Sequence, residues 1–225
     1  VKLSPAELLH YALLGEFVAT GAAHADNIAP SLFGGMTLAQ VETPPTQSSQ
    51  KQSSQTPSSQ TSTASPQVAS VMTPVHVVKL PLPQGLHLVL IHPHLQIKTK
   101  DARQVLNSHV SLQDFVTQSA HLARFISACY TDNLKEFKNS LQDFIIEPQR
   151  QHLIPGFQQV KKAALEAGAL GCSISGSGPS VFAFAASEYE AKRILFAMSH
   201  VFQENKLQID SWIQKLPCVG ARIIR

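Results

Sequence analysis

The chain reads as an α+β sandwich. Two helix-start signals, Ser4-Pro5-Ala6-Glu7 and Ser111-Leu112-Gln113-Asp114, each open a stretch of helical periodicity. Short apolar runs at Val75–Leu80 and Leu86–Ile91 have the length of strands. Ser173 to Ala185 reads as strand, glycine-rich turn, strand. Helices mixed with hairpin-like strand pairs in this way define the class.

The first helix carries Pro at its first position and a capping box around it. Leu9, Ala12, Leu13, Glu16, Phe17 and Thr20 follow at helical spacing, and Gly21 ends the run. Glu16 therefore sits on the apolar face, where a carboxylate is costly unless something pairs with it. The residues from Ala22 to Asn27 read as a loop, Ile28 to Phe33 as a short helix, and Met36 to Val41 as a strand. From residue 42 to 74 the composition turns to Ser, Gln, Thr and Pro. Such a segment buries too little surface to offset its ordering entropy, so a disordered, passive insert is expected there. Val75–Leu80 resumes as a strand. Leu86–Ile91 is uninterrupted in apolar character and reads as a central strand. Helices are expected from Thr99, from Ser111 to about Tyr130, at Leu134–Leu141, at Gln158–Ala167 and at Glu188–Asn205. Ala221–Ile224 is expected to close the fold as a strand.

Bulk properties exclude several functions. The chain has 225 residues, 44% of them hydrophobic, enough for one or two domains with a core. Charged residues are 15% and the formal net charge is +3, spread along the chain. No concentrated basic face exists for nucleic acid, while a small anionic substrate is compatible. No apolar stretch approaches the roughly 20 residues that cross a bilayer, and no secretory pattern opens the chain, which starts at Val1. Cys129, Cys172 and Cys218 form no CxxC pair, which favours a reducing, cytoplasmic compartment and three buried structural thiols.

Four local patterns carry chemistry. The turn Ser173-Ile174-Ser175-Gly176-Ser177-Gly178-Pro179-Ser180 lets backbone approach a ligand, and its N–H groups can cradle an anion. It equally suits a plain strand connection, and it lacks the Gly-Lys-Ser/Thr ending of a Walker loop. His24-Ala25-Asp26-Asn27 can hydrogen-bond an amine and a hydroxyl, or can cap the next helix. Arg103, one helical turn after Thr99, and Arg150, after Glu147-Pro148-Gln149, could clamp a carboxylate, though either alone suits a surface. His92 and His94 share a face of an extended chain, but no third ligand stands nearby, so metal is disfavoured there.

Taken in order, these pieces resemble homoserine kinases of the GHMP small-molecule kinase superfamily. The resemblance rests on Gly15-Glu16, on Gly21 to Pro30 with the His24-Ala25-Asp26-Asn27 loop, and on Phe33-Gly34-Gly35. It continues through Thr99-Lys100-Asp101-Ala102-Arg103, Glu147-Pro148-Gln149-Arg150, Leu153 to Phe157, Gly168 to Ser180, and Gly220-Ala221-Arg222. It implies two sandwich domains of the GHMP type: an incomplete N-terminal one over residues 1–84, interrupted by the 42–74 insert, and a ferredoxin-like C-terminal one over 85–225. It implies phosphoryl transfer from ATP to the hydroxyl of L-homoserine, giving O-phosphohomoserine for threonine biosynthesis. Glu16 would hold Mg²⁺. Glu16, His24 and Asn27 would serve the chemistry. His24, Asp26 and Asn27 would hold the substrate amine and hydroxyl, and Thr99, Arg103 and Arg150 its carboxylate. Gly176, Ser177 and Gly178 would close over substrate and phosphates.

Two motifs of that family are missing from the chain, one near the family's N-terminus that helps hold substrate and one that wraps the ATP phosphates. The family's Gly-Leu-Gly-Ser-Ser phosphate loop does not occur in these 225 residues. The expectation is therefore an N-terminally truncated homoserine kinase, inactive as this chain alone. The competing expectations are a catalytically dead paralogue that binds an amino acid or a partner, and a GHMP kinase for a sugar or mevalonate-type substrate. A homodimer is compatible with the sequence, as is a plastid location for a photosynthetic source. Neither nucleic acid nor membrane is expected as a partner.

Overall fold

The computed structural model describes residues 3–41 and 75–222. The expected insert at 42–74 lies outside them. The chain divides into two compact units, one of Val1–Lys79 with Val219–Arg225, the other of Leu80–Cys218.

In the first unit, α1 spans Pro5–Thr20 and α2 spans Ala25–Phe33. Ser4 and Glu7 form the reciprocal capping box that the sequence predicts: the Ser4 N–H donates to Glu7 at 2.7 Å and the Glu7 N–H to Ser4 Oγ at 3.3 Å. Gly21 ends α1 in the left-handed region, at φ 77°, with its N–H on the Phe17 carbonyl. The second helix begins earlier than its sequence suggests. The His24 carbonyl accepts from the N–H groups of Asn27 and Ile28, so Asp26 and Asn27 form the first helical turn rather than a loop. Asp26 suits that position, because the N-terminal end of a helix attracts negative charge. Leu9, Leu13, Ala25 and Ala29 are buried together, with Val75 and Val77 packed against them. β1 (Met36–Val41) pairs with β2 (Val75–Leu80). The strand expected at Ala221–Ile224 is absent from Ala221 and Arg222; its last residues are not described. Instead the Ala221 N–H donates to Ser31, and Val219 bridges Gly34.

The second unit holds β3 (His87–Pro93), α3 (Thr99–Gln104), α4 (Leu112–Tyr130), α5 (Leu134–Ser140), α6 (Glu147–Arg150), α7 (Phe157–Glu166), β4 (Gly171–Ile174), β5 (Val181–Ala185), α8 (Glu188–Glu204) and β6 (Ile209–Lys215). Its sheet runs β4-β5-β3-β6, and every pairing is antiparallel. That is the split βαβ arrangement, with β3 in the interior as its apolar run predicts. β6 is an edge strand that the sequence conceals. Only Ile209 and Ile213 turn toward the core, and the rest of the strand is polar or exposed.

The sheet is covered on both faces. Val89, Ile91, Val181, Ala183 and Ala185 pack on Phe157, Val160, Ile194, Met198 and Phe202 of α7 and α8. The alternate residues of β5 face the other way. Phe184 meets Phe137 of α5 edge-on, ring centroids 5.3 Å apart, and Phe137 meets Phe125 of α4 at 5.2 Å. A strand with period-two side chains thus serves two helical layers. Phe157, fully enclosed, and Phe196, 77% exposed on α8, test that division. Phe157→Ala should destabilise by about 4 kcal/mol in urea unfolding. Phe196→Ala should change stability by less than about 0.5 kcal/mol.

Candidate active site

Each unit gathers part of the predicted residue set. In the first, the end of α1 and the start of α2 meet through a carboxylate. Glu16 Oε2 accepts the backbone N–H of His24 at 2.9 Å, and Glu16 Oε1 lies 2.9 Å from His24 Nδ1. Glu16 is thus answered by hydrogen bonds, which resolves its place on an apolar face. A carboxylate only accepts, so Nδ1 is the donor and the neutral ring keeps its lone pair on Nε2. Asp26 and Asn27 are exposed on the same helix start. Among the described residues no group of three or more His, Cys, Asp or Glu gathers to hold a metal. A single carboxylate nevertheless suits Mg²⁺, which is commonly bound through one or two carboxylates and substrate phosphates.

In the second unit, Arg150 joins two of the predicted segments. Its Nε donates to the Ala102 carbonyl at 3.0 Å and its Nη1 to the Gly176 carbonyl at 2.9 Å. α3, which carries Arg103 and begins at Thr99, is thereby tied to the glycine turn. Three of the five guanidinium N–H groups remain for a ligand. The turn is closed by Ser175 N–H to the Ser180 carbonyl and by Gly178 N–H to the Ser175 carbonyl. Gly176 and Gly178 both have positive φ, 59° and 80°. A Cβ at Gly178 would also press Ile154 Cδ1 at 3.3 Å, so glycine is required there twice over. Among the described residues, the N–H groups of Gly176 and Ser177 have no acceptor. They form the anion-receiving edge of the turn.

Two supports escaped sequence reasoning. The first is Glu147, 8% exposed at the start of α6. It accepts from Ser173 Oγ of β4 at 2.6 Å and from Lys161 Nζ of α7. The only sequence trace of this was the Glu-Pro that opens the Arg150 segment. The second is His92 of β3, whose Nδ1 lies 2.9 Å from Ser180 Oγ at the end of the glycine turn. His94 turns instead to Asp210 at 3.0 Å. The two histidines therefore have separate polar partners. One expectation needs correction: Cys129 and Cys172 are buried, but Cys218 is half-exposed, because it follows the edge strand.

Residues 125–204 match the family described as GHMP kinases C terminal. The chain has the fold of the GHMP kinases. Within that class it is similar to homoserine kinases. It is 38% identical over 220 residues to the homoserine kinase of Chlorobium phaeobacteroides (strain BS1), covering 97% of this chain and 59% of that one. It is 34% identical over 217 residues to the homoserine kinase of Xylella fastidiosa (strain M12), covering 96% and 57%. The crystal structure of homoserine kinase from Cytophaga hutchinsonii superposes with a TM-score of 0.81 at 38% identity, covering 99% of this chain and 61% of that one. A mevalonate kinase from L. major, at TM-score 0.65 and 14% identity, shares the fold alone. The chain thus spans about three fifths of the length of the homoserine kinases it matches.

Two outcomes follow from this geometry. Glu147→Ala would strand the Lys161 ammonium, which is a quarter exposed, beside an unpaired Ser173 hydroxyl. It should cost about 2 to 3 kcal/mol in urea unfolding, and Glu147→Gln less, since an amide oxygen still accepts from Ser173. Burial pushes the Cys172 thiol up to about 12, so it stays protonated and unreactive at pH 8. Iodoacetamide should label Cys218 first, with Cys172 modified only on unfolding, as read by peptide mass spectrometry.

Proposed function

We propose that the whole protein to which this sequence belongs phosphorylates the side-chain hydroxyl of L-homoserine with ATP. The observation that carries the reading is Arg150, bound at once to α3 and to a glycine turn with unanswered N–H groups. An arginine placed between a helix start and an anion-receiving turn is suited to a small substrate bearing a carboxylate that must lie beside phosphates. The similarity to homoserine kinases over 97% of this chain supports the same substrate.

In the second unit, Arg150 and Arg103 are the proposed partners of the substrate carboxylate, with Thr99 beside them at the start of α3. Gly176, Ser177 and Gly178 are the proposed contact for the transferring phosphoryl group. In the first unit, Asp26 and Asn27 are the proposed partners of the amine and hydroxyl. Glu16 is the proposed Mg²⁺ ligand, and when bound the metal would neutralise phosphate charge. His24, held through Nδ1, is the proposed acceptor of the hydroxyl proton at Nε2. In the reaction the hydroxyl oxygen bonds to the γ-phosphorus and the bond to the ADP oxygen breaks. Charge stabilisation and positioning do most of the work in such transfers.

The test is ADP formation by the whole protein across hydroxyl substrates. L-Homoserine should give the highest kcat/KM. Arg150→Ala should raise its KM by roughly 30-fold, the loss of a charge-assisted pair. A sugar or mevalonate preferred over homoserine would overturn the assignment.

A further inference from the structure

A separate concavity opens in the second unit at the far end of β4, four residues from the glycine turn and thus roughly 13 Å along the strand. It has a volume of about 600 Å³, within the range that holds a small organic ligand. Its floor is apolar, with Leu141, Leu165 and Leu170 around the buried Cys172. Its walls bring three cations from three helices: Arg124 of α4, Lys138 of α5 and Lys161 of α7. Asp143 is the single carboxylate in the lining.

That carboxylate is already committed. Asp143 Oδ1 accepts the N–H groups of Ile145 and Ile146 at 2.9 and 2.8 Å, and Oδ2 accepts that of Glu147 at 3.1 Å. Two of the three cations are paired as well, and one is not. Arg124 pairs with Glu136 through Nε at 3.1 Å. Lys161 pairs with Glu147, which is not in the lining. The Lys138 ammonium has no ion-pair or hydrogen-bond partner among the described residues. The unpaired Lys138 ammonium, with Arg124 and Lys161 beside it in the same lining, gives an anion a cationic contact next to apolar surface. The same charge repels a metal cation.

We propose that this cleft binds a small organic anion, with a phosphate or carboxylate head at Lys138, Arg124 and Lys161 and an apolar body on the leucine floor. The inference does not depend on the reaction assigned above. It does share one residue with the frame of the candidate active site, because a bound anion competes with Glu147 for Lys161.

The test is a calorimetric titration at low salt with phenyl phosphate, phenylacetate and inorganic phosphate. One of the two aromatic anions should bind saturably with a Kd near or below about 1 mM, and its head group identifies the source class. Inorganic phosphate, lacking the body, should bind more weakly. Lys138→Glu, an exposed change whose folding a thermal melt can verify, should weaken binding roughly five- to tenfold. Lys192→Glu, outside the lining and in an exposed helical pair, should leave it unchanged. No saturable binding up to about 20 mM would overturn the proposal. So would inorganic phosphate binding as tightly as the aromatic anions, or Lys138→Glu leaving affinity intact. Binding abolished by Arg150→Ala but untouched by Lys138→Glu would place the anion at the glycine turn, and would overturn the cleft while leaving the kinase reading standing.

Discussion

A carboxylate that is nearly removed from water must be met by charge and hydrogen bonds, and the arrangement of the second unit follows from how Glu147 is met. One oxygen takes the Ser173 hydroxyl, from the strand that leads into the glycine turn. The other takes the Lys161 ammonium, from the helix that backs the sheet. These two bonds pin the start of α6 to β4 and α7. Three residues later the same short helix presents Arg150, which reaches Ala102 and Gly176. A four-residue helix has too little intrinsic stability to hold a side chain still, since nucleation alone is unfavourable. Its position is therefore imposed from outside, and Glu147 is where much of that constraint enters.

The rest of the unit makes such a constraint effective by being stiff. β3 and β5 carry small and branched residues toward α7 and α8, and β5 carries two phenylalanines toward α4 and α5. A sheet close-packed on both faces has little room to shift, because interiors are packed at crystal-like density. The glycine turn hangs from two of its strands, and His92 on a third fixes the hydroxyl of Ser180 at the turn's end. Among the described residues, the turn's Gly176 and Ser177 N–H groups are left unanswered. A turn closed by its own hydrogen bonds and held on a rigid support is the arrangement that a preorganised anion contact requires.

Much of this was legible in the chain because local chemistry and final structure agree. Ser4 and Ser111 start helices through side-chain caps, and an isolated peptide would carry the same signals. The apolar run of β3 showed its interior position directly. Two kinds of feature were not legible. β6 presents only two apolar residues to the core, so its strand character comes from pairing with β3 across more than a hundred residues. Its alternation is too weak to signal itself. The start of α2 was read three residues late because Asp-Asn favours loops and helix starts alike. What decides between them is Glu16, eight residues upstream, which takes the His24 N–H and imidazole and so fixes the entry of the chain. Likewise Glu147, Lys161 and Ser173 are separated by 14 and 26 positions, and no spacing rule connects them.

Arg150 shows why a residue singled out for binding can also be structural without contradiction. Read from sequence, it was half of a carboxylate clamp. In the fold it spends one N–H on α3 and one on the glycine turn, and both acceptors are backbone carbonyls. Those bonds hold the planar guanidinium in one orientation, which a lysine with its single rotating ammonium could not match. The remaining N–H groups are then aimed before any ligand arrives, so less side-chain entropy is lost when one binds. The structural role and the proposed recognition role reinforce each other. Replacing Arg150 removes a contact and also unties the turn from α3, so its effect on binding exceeds that of the lost contact alone.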